Sequence, residues 1–282
     1  MDYQNIFSVL EKNEIHIDYQ MTKEPLALGT SKIGGKPHLP KHFEWCYYEG
    51  EDYDGNRENR PLTFLMQINC EEIKSLDKDD VLPEKGFLYF FYELTSLRWG
   101  FEPSDEGSAR VLYFDGSADE LEVRELPEEL EEINRFPECA LRFSTHKNIP
   151  SYEEFSDFYT DGDWDDYDEA AEEYGYAIDR SPDEVTKVLG YADLIQGSAV
   201  WECEMTARRF NCGNGPVKLT PEERAEITEA SKDWILLAQF GTLTAGDTEL
   251  MWGDCGCLYF FIRKKDLAKK NFENIWMVLQ CG

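Results

Sequence analysis

Apolar and polar positions along the chain follow two periods. Alternating or near-continuous runs rich in β-branched and aromatic residues predict strands at 15–21 (IHIDYQM), 25–33 (PLALGTSKI), 43–48 (FEWCYY), 61–69 (PLTFLMQIN), 86–93 (GFLYFFYE), 109–115 (ARVLYFD) and 139–146 (CALRFSTH). Three more follow in DWILLAQFGTL, CGCLYFFIR and NIWMVLQC near the end of the chain. Helical spacing predicts a short amphipathic helix over 2–13, an acidic helix over 151–178 broken by DGDWDD, and a short helix in KKDLAKKNF. The 219–233 segment carries a start signal as well as a pattern: Thr220 as N-cap, Pro221 in the first turn and Glu223 three residues after the cap. The stretch LPEELEEINRFPE at 126–138 reads as a charged helical segment between two prolines and marks a boundary between halves.

Compared with itself, the chain repeats these signals in order. SKIGG at 31–35 matches TKVLG at 186–190, Trp45 matches Trp201, FLMQI at 64–68 matches LLAQF at 236–240, and GFLYFF at 86–91 matches GCLYFF at 256–261. A last apolar strand follows in each half, VLYF at 111–114 and WMVL at 276–279. One such match could be chance, but a series in one order predicts two related halves, 1–130 and 131–282, packed as one unit about a pseudo-twofold axis with a cleft between them. Uninterrupted LYFF runs predict strands buried on both faces. The expected class is α+β, with mixed, largely antiparallel sheets and peripheral helices.

Composition narrows the partners. A formal charge of −30, from 58 acidic and 28 basic residues, opposes binding to nucleic acid phosphates and anionic lipid, and favours a basic protein partner. The N-terminus MDYQNIFSVLEKNE has neither a basic nor a long apolar leader region, and no stretch approaches a membrane span, so a cytoplasmic location is expected. Eight cysteines without a CxxC pair suit reduced thiols rather than a disulfide framework.

Several motifs resemble the bacterial YwqG-like family: GGKPHLP, FLMQIN, LPEKGFLYFF, GYADLIQG and, above all, MWGDCGCLYFFIRKKDL with the NIWMVLQCG tail. The resemblance spans nearly the whole chain and implies a fold and a bacterial source. It brings no mechanism, because the family is one of unknown function. Cys46 and Cys255 stand where similar proteins commonly carry a proline and a small residue, which argues against functional roles for them.

Candidate chemistry rests on polar residues that interrupt apolar strands. Gln67 and Gln239 occupy matching places, and a buried amide there must find hydrogen-bond partners, from backbone or from a ligand. Lys32 with Lys187, and Trp45 with Trp201, would line a symmetric cleft if they face inward. Asp254, in the glycine-flanked turn WGDCG, is a further candidate. Asp161, Asp163, Asp165, Glu169 and Glu172 fall at the oxygen positions of a calcium loop, although Asp166 replaces its turn glycine. His38, His42 and Cys46 share a four-residue spacing, but Pro37 and Pro40 oppose the helix that would make them zinc ligands. The chain has no GxSxG, HExxH, P-loop or GxGxxG signature, and no cofactor is expected. The leading expectation is a non-enzymatic protein-interaction module that holds a basic, toxin-like partner. The alternative is a small-ligand-binding protein or an unidentified enzyme with its site in the cleft.

Overall fold

The computed structural model describes residues 1–51, 55–159, 162–176 and 181–282. Ten strands form one sheet: β1 (Lys12–Met21), β2 (Lys32–Ile33), β3 (Thr63–Asn69), β4 (Phe87–Tyr92), β5 (Ala109–Phe114), β6 (Cys139–Asn148), β7 (Lys187–Leu189), β8 (Trp234–Phe240), β9 (Cys257–Arg263) and β10 (Trp276–Gln280). Their spatial order is β10-β9-β8-β7-β1-β6-β2-β3-β4-β5, and each pairing is antiparallel.

That order has a twofold pattern. Four strands of the first half form one wing and four of the second half form the other, joined by the ten-residue β1–β6 ribbon. The ribbon strands are exchanged: β1 pairs with β7 of the other half, and β6 pairs with β2. Register irregularities recur at matching places, between Phe64 and Met66 in β3 and between Leu236 and Ala238 in β8. A bulge of this kind bends a strand and sharpens its twist. The wings accordingly curl until Phe90 on β4 meets Phe260 on β9 and Phe240 on β8, with ring centroids 5.4 and 6.0 Å apart.

Period-two alternation then sorts the side chains. Leu88, Phe90, Leu258 and Phe260 enter the shared core between the wings, with Ile15, Ile17, Met66 and Phe240. Phe64, Tyr89 and Phe91 point outward beneath a cover that includes Leu39, Tyr48 and Leu121. Leu236, Tyr259 and Phe261 point outward beneath Ala199, Val200 and Cys203. This is why LYFF is apolar throughout: both faces are covered.

The helices are peripheral: α1 (Tyr3–Leu10), α2 (Cys70–Ile73), α3 (Tyr152–Phe158), α4 (Trp164–Glu173), α5 (Ala199–Ala207), α6 (Pro221–Ser231) and α7 (Lys264–Leu267). Helix α6 starts as predicted, with Thr220 and Glu223 forming a reciprocal capping box. Helices α1, α3 and α4 bury Tyr3, Phe7, Phe155 and Tyr167 against one another in a small core of their own. No helix among the described residues is long and apolar enough to cross a membrane.

Four expectations change. Of 25–33 only Lys32–Ile33 is strand, because the chain turns at Gly29, which has a positive φ. Residues 43–46 are irregular, and the strand at this place is Tyr47–Glu51, paired with Arg57–Pro61. The 126–138 segment keeps only one 3-10 turn, Glu132–Asn134, between its prolines. The Trp201 segment is helix α5, unlike the irregular Trp45 segment it was expected to match; its apolar residues are buried by packing on β8 and β10.

Candidate functional site

The paired polar residues form two separate clusters rather than one cleft. In the first, the Gln67 amide oxygen accepts from the His38 backbone N–H at 2.9 Å, and its nitrogen donates to the Thr30 carbonyl at 2.7 Å. Beside it Lys32, fully buried, places its ammonium 2.5 Å from the Glu138 carboxylate, 2.5 Å from the Lys36 carbonyl and 3.4 Å from Nε2 of His38. In the second, the Gln239 oxygen accepts from the Asp193 N–H at 2.9 Å, and its nitrogen donates to the Val185 carbonyl at 3.2 Å. Lys187, also fully buried, lies 2.7 Å from Glu14 and 2.8 Å from Asp193.

The backbone explains both. A pair of left-handed residues ends each short strand, Gly34–Gly35 after β2 and Leu189–Gly190 after β7. The tight turn brings the next backbone N–H over the sheet, where the glutamine receives it. Added side-chain bulk at Gly35 would meet Glu138 at 2.7 Å, and at Gly190 it would meet Glu14 at 2.7 Å, so each turn also seats its carboxylate.

Lys32 lies across the ladder from Ala140, which lies across from Gln20, whereas Lys187 lies across from His16. Three strand spacings and a four-residue offset put the two lysines about 20 Å apart. A buried amide must have its donors and acceptor satisfied, and turn backbone supplies partners for each glutamine, so neither is left to a ligand. Among the described residues the two clusters stand apart on different strands of the sheet.

Burial lowers the pKa of Lys32, with Glu138 opposing. Burial and then the neighbouring ammonium depress His38 to about 4, so its imidazole is neutral and its Nδ1 accepts from the Gly29 N–H at 3.2 Å. For Glu138 burial pushes upward, but its hydrogen bonds to the Lys32 ammonium and the Leu26 N–H outweigh it and the carboxyl titrates below its usual range.

The remaining sequence candidates lie elsewhere. Trp45 donates to the Leu62 carbonyl from an irregular segment and packs edge-on against Phe91, whereas Trp201 sits on α5 beneath the Arg224 guanidinium, so the two are not equivalent. Asp254 is exposed in a turn, where its backbone carbonyl accepts from Gly282. Asp161 lies outside the described residues. Asp163 caps α4 by accepting from the Asp165 N–H, and Asp165, Glu169 and Glu172 follow on the helix itself. Asp165 and Glu172 are thus separated by about 10 Å of helix rise, too far for one ion whose ligands lie at about 2.4 Å. Among the described residues no group of three metal-ligating side chains converges. His38 belongs to the first cluster, and His42 stacks edge-on against Phe43 instead of joining it.

A pocket of about 430 Å³ opens where the ends of β1, β8 and β9 meet α3 and α6. Lys12 opens β1, and its ammonium lies 3.5 Å from the centre of the Tyr191 ring. Glu154, in the first turn of α3, is 7% exposed. Among the described residues neither group has a hydrogen bond or an ion pair within 4 Å. Burial lowers Lys12 to about 8, with Glu154 opposing, and burial raises the Glu154 carboxyl, with Lys12 opposing. Phe158 and Trp234 supply apolar wall, and Lys232 and Lys264 stand at the rim, where the Lys264 ammonium holds the Lys232 carbonyl at 2.8 Å.

Sequence reasoning missed this site. Lys12 reads as the polar start of an amphipathic strand, and Glu154 is one acid in a run of acids. The legible signal was three lysines in a chain with few cations, but their convergence depends on strand ends far apart in sequence. No curated protein matches the chain. The model of a domain of unknown function, DUF1963, matches residues 31–281, so the chain belongs to that family.

Proposed function

We propose that this protein binds a small organic molecule in the pocket between the strand ends and helices α3 and α6. The observation that carries the reading is the pair Lys12, half-buried, and Glu154, buried, two ionisable groups that line one cavity with no hydrogen-bond or ion-pair partner among the described residues. Burying such groups costs free energy, and perturbed groups in concave, partly aromatic sites are a common mark of binding sites. The site lies where the start of β1, a first-half strand paired with β7, meets the helical cover of the second half. A fragment screen by protein-observed NMR tests this: hits should perturb Lys12, Tyr191 and Trp234, and hits confined to other surfaces would overturn it.

The charge of −30 supports a second reading, a protein-interaction module for a basic partner. Exposed acids on α4, among them Asp165, Asp166 and Glu172, and on α6, among them Glu222 and Glu226, would provide the surface. Its test is a pull-down from native lysate at low and physiological salt, where a specific basic partner should be lost as salt rises. The WGDCGCLYFFIRKKDL run supports a YwqG-like placement within the family, and eight free cysteines support a reducing, cytoplasmic setting.

A further inference from the structure

The pocket's charge runs against the rest of the molecule. Acidic residues outnumber basic ones by 58 to 28, yet three lysines and one buried carboxyl line this cavity. Lys232 is partly engaged, since its ammonium lies 2.5 Å from Glu229 and over the Phe158 ring. Lys264 donates to the Lys232 carbonyl and keeps further donors. Lys12 rests on an aromatic face, a weak substitute for an anion. Glu154 stays more than 4 Å from the Lys12 ammonium, although both line the same space.

We infer that the pocket takes a small organic anion, a carboxylate on a compact aromatic or apolar body, with the anionic group held by Lys12 and Lys264 and the body against Phe158 and Trp234. This deepens the binding reading above and rests on it. Lys12, half-buried in the pocket, supplies a charge-assisted hydrogen bond, which is stronger than a neutral one. Burial raises the Glu154 carboxyl, with Lys12 opposing, so the charged form of the pocket's one acid is disfavoured relative to an exposed carboxylate. A cationic ligand would meet three ammonium groups with only Glu154 to receive it.

The experiment is isothermal calorimetry on the full chain with three probes sharing one ring system: 2-naphthoate, the neutral 2-naphthalenemethanol and the cation 2-naphthylmethylammonium. Naphthoate should bind about tenfold or more tightly than the other two. Lys12→Met and, at an exposed position on the rim, Lys264→Glu should each weaken naphthoate by about tenfold in variants whose circular dichroism matches that of the parent. Raising the pH from about 7 to about 9 should weaken naphthoate as Lys12 loses its proton near 8. The charged and titratable groups facing Lys12 are Glu154, Asp79, Lys264 and Tyr191. Of these Tyr191 titrates above that window, raised by burial. Equal or tighter binding of the alcohol or the cation would overturn the anion assignment while leaving the pocket as a binding site. Absence of binding by all three probes would overturn both.

Discussion

The Lys32 and Lys187 clusters share one backbone plan but differ in how each buried ammonium is balanced. Lys187 has two carboxylates, Glu14 fully buried and Asp193 with a side chain 14% exposed. Lys32 has one, Glu138, with a side chain 20% exposed, and a neutral imidazole where the other cluster has Asp193. A pair of left-handed residues, a glutamine and a carboxylate therefore preserve the turn, while the choice of His38 or Asp193 sets its electrostatics. The contrast separates what builds the fold from what is free to vary within it.

The largest expected effect breaks the better-balanced cluster. Lys187→Ala removes the ammonium that Glu14 and Asp193 share and should cost about 3–5 kcal/mol in urea unfolding. Lys32→Ala should cost less, because Glu138 reaches water; an equal loss would show that exposure of the carboxylate is irrelevant.

Acid sensitivity should belong to the first cluster. His38 titrates near 4 when folded against 6.5 when unfolded, so the unfolded chain binds more protons between those values and stability falls as pH drops through that window. The loss approaches about 3 kcal/mol by the lower end. His38→Gln should flatten stability measured from about pH 7 to about pH 4, and an unchanged profile would place the acid sensitivity elsewhere.

Gln67→Leu and Gln239→Leu should each cost about 1–3 kcal/mol by stranding a turn N–H and a carbonyl. Similar values in chemical unfolding would support the shared plan, and strongly unequal ones would break it. The smallest contrast concerns two tyrosines at matching places. The Tyr259 hydroxyl donates to the Asp193 carbonyl at 2.6 Å, whereas the Tyr89 hydroxyl is buried with no partner among the described residues. Tyr259→Phe should cost about 1 kcal/mol, and Tyr89→Phe should be neutral or stabilising. A measurable loss at Tyr89 would reveal a partner for its hydroxyl.

Much of this plan was legible one residue at a time. Strands β3, β4, β8 and β9 carry dense apolar runs, and the glutamines stood out because an amide in such a run demands partners. Their partners were not legible. Glu14 and Glu138 reach the lysines only because β1 and β6 cross between halves, and nothing local distinguishes an exchanged strand from one that pairs within its own half. Helix α5 escaped for a related reason: an apolar run such as AVWECEM is as compatible with a buried strand as with a buried helix, and packing decides.

The pocket marks the limit more sharply. By the pairing of the strands, Leu62 and Phe136 stand on one wing where Trp234 and Lys12 stand on the other, and only the second half inserts α3 and α4 between its ribbon strand and its next strand. By itself the sequence determined the apolar strands β3, β4, β5, β8, β9 and β10, the capped start of α6, the strong negative charge and the matching of glutamines and LYFF runs, because each follows from neighbouring residues. The tertiary structure alone decided that the matched residues form two clusters instead of one, and that Lys12 and Glu154 share a cavity. Both outcomes depend on how segments far apart in the chain come together, as when Lys12 and Glu154 line one pocket and Lys187 pairs with Glu14, which short-range pattern does not encode.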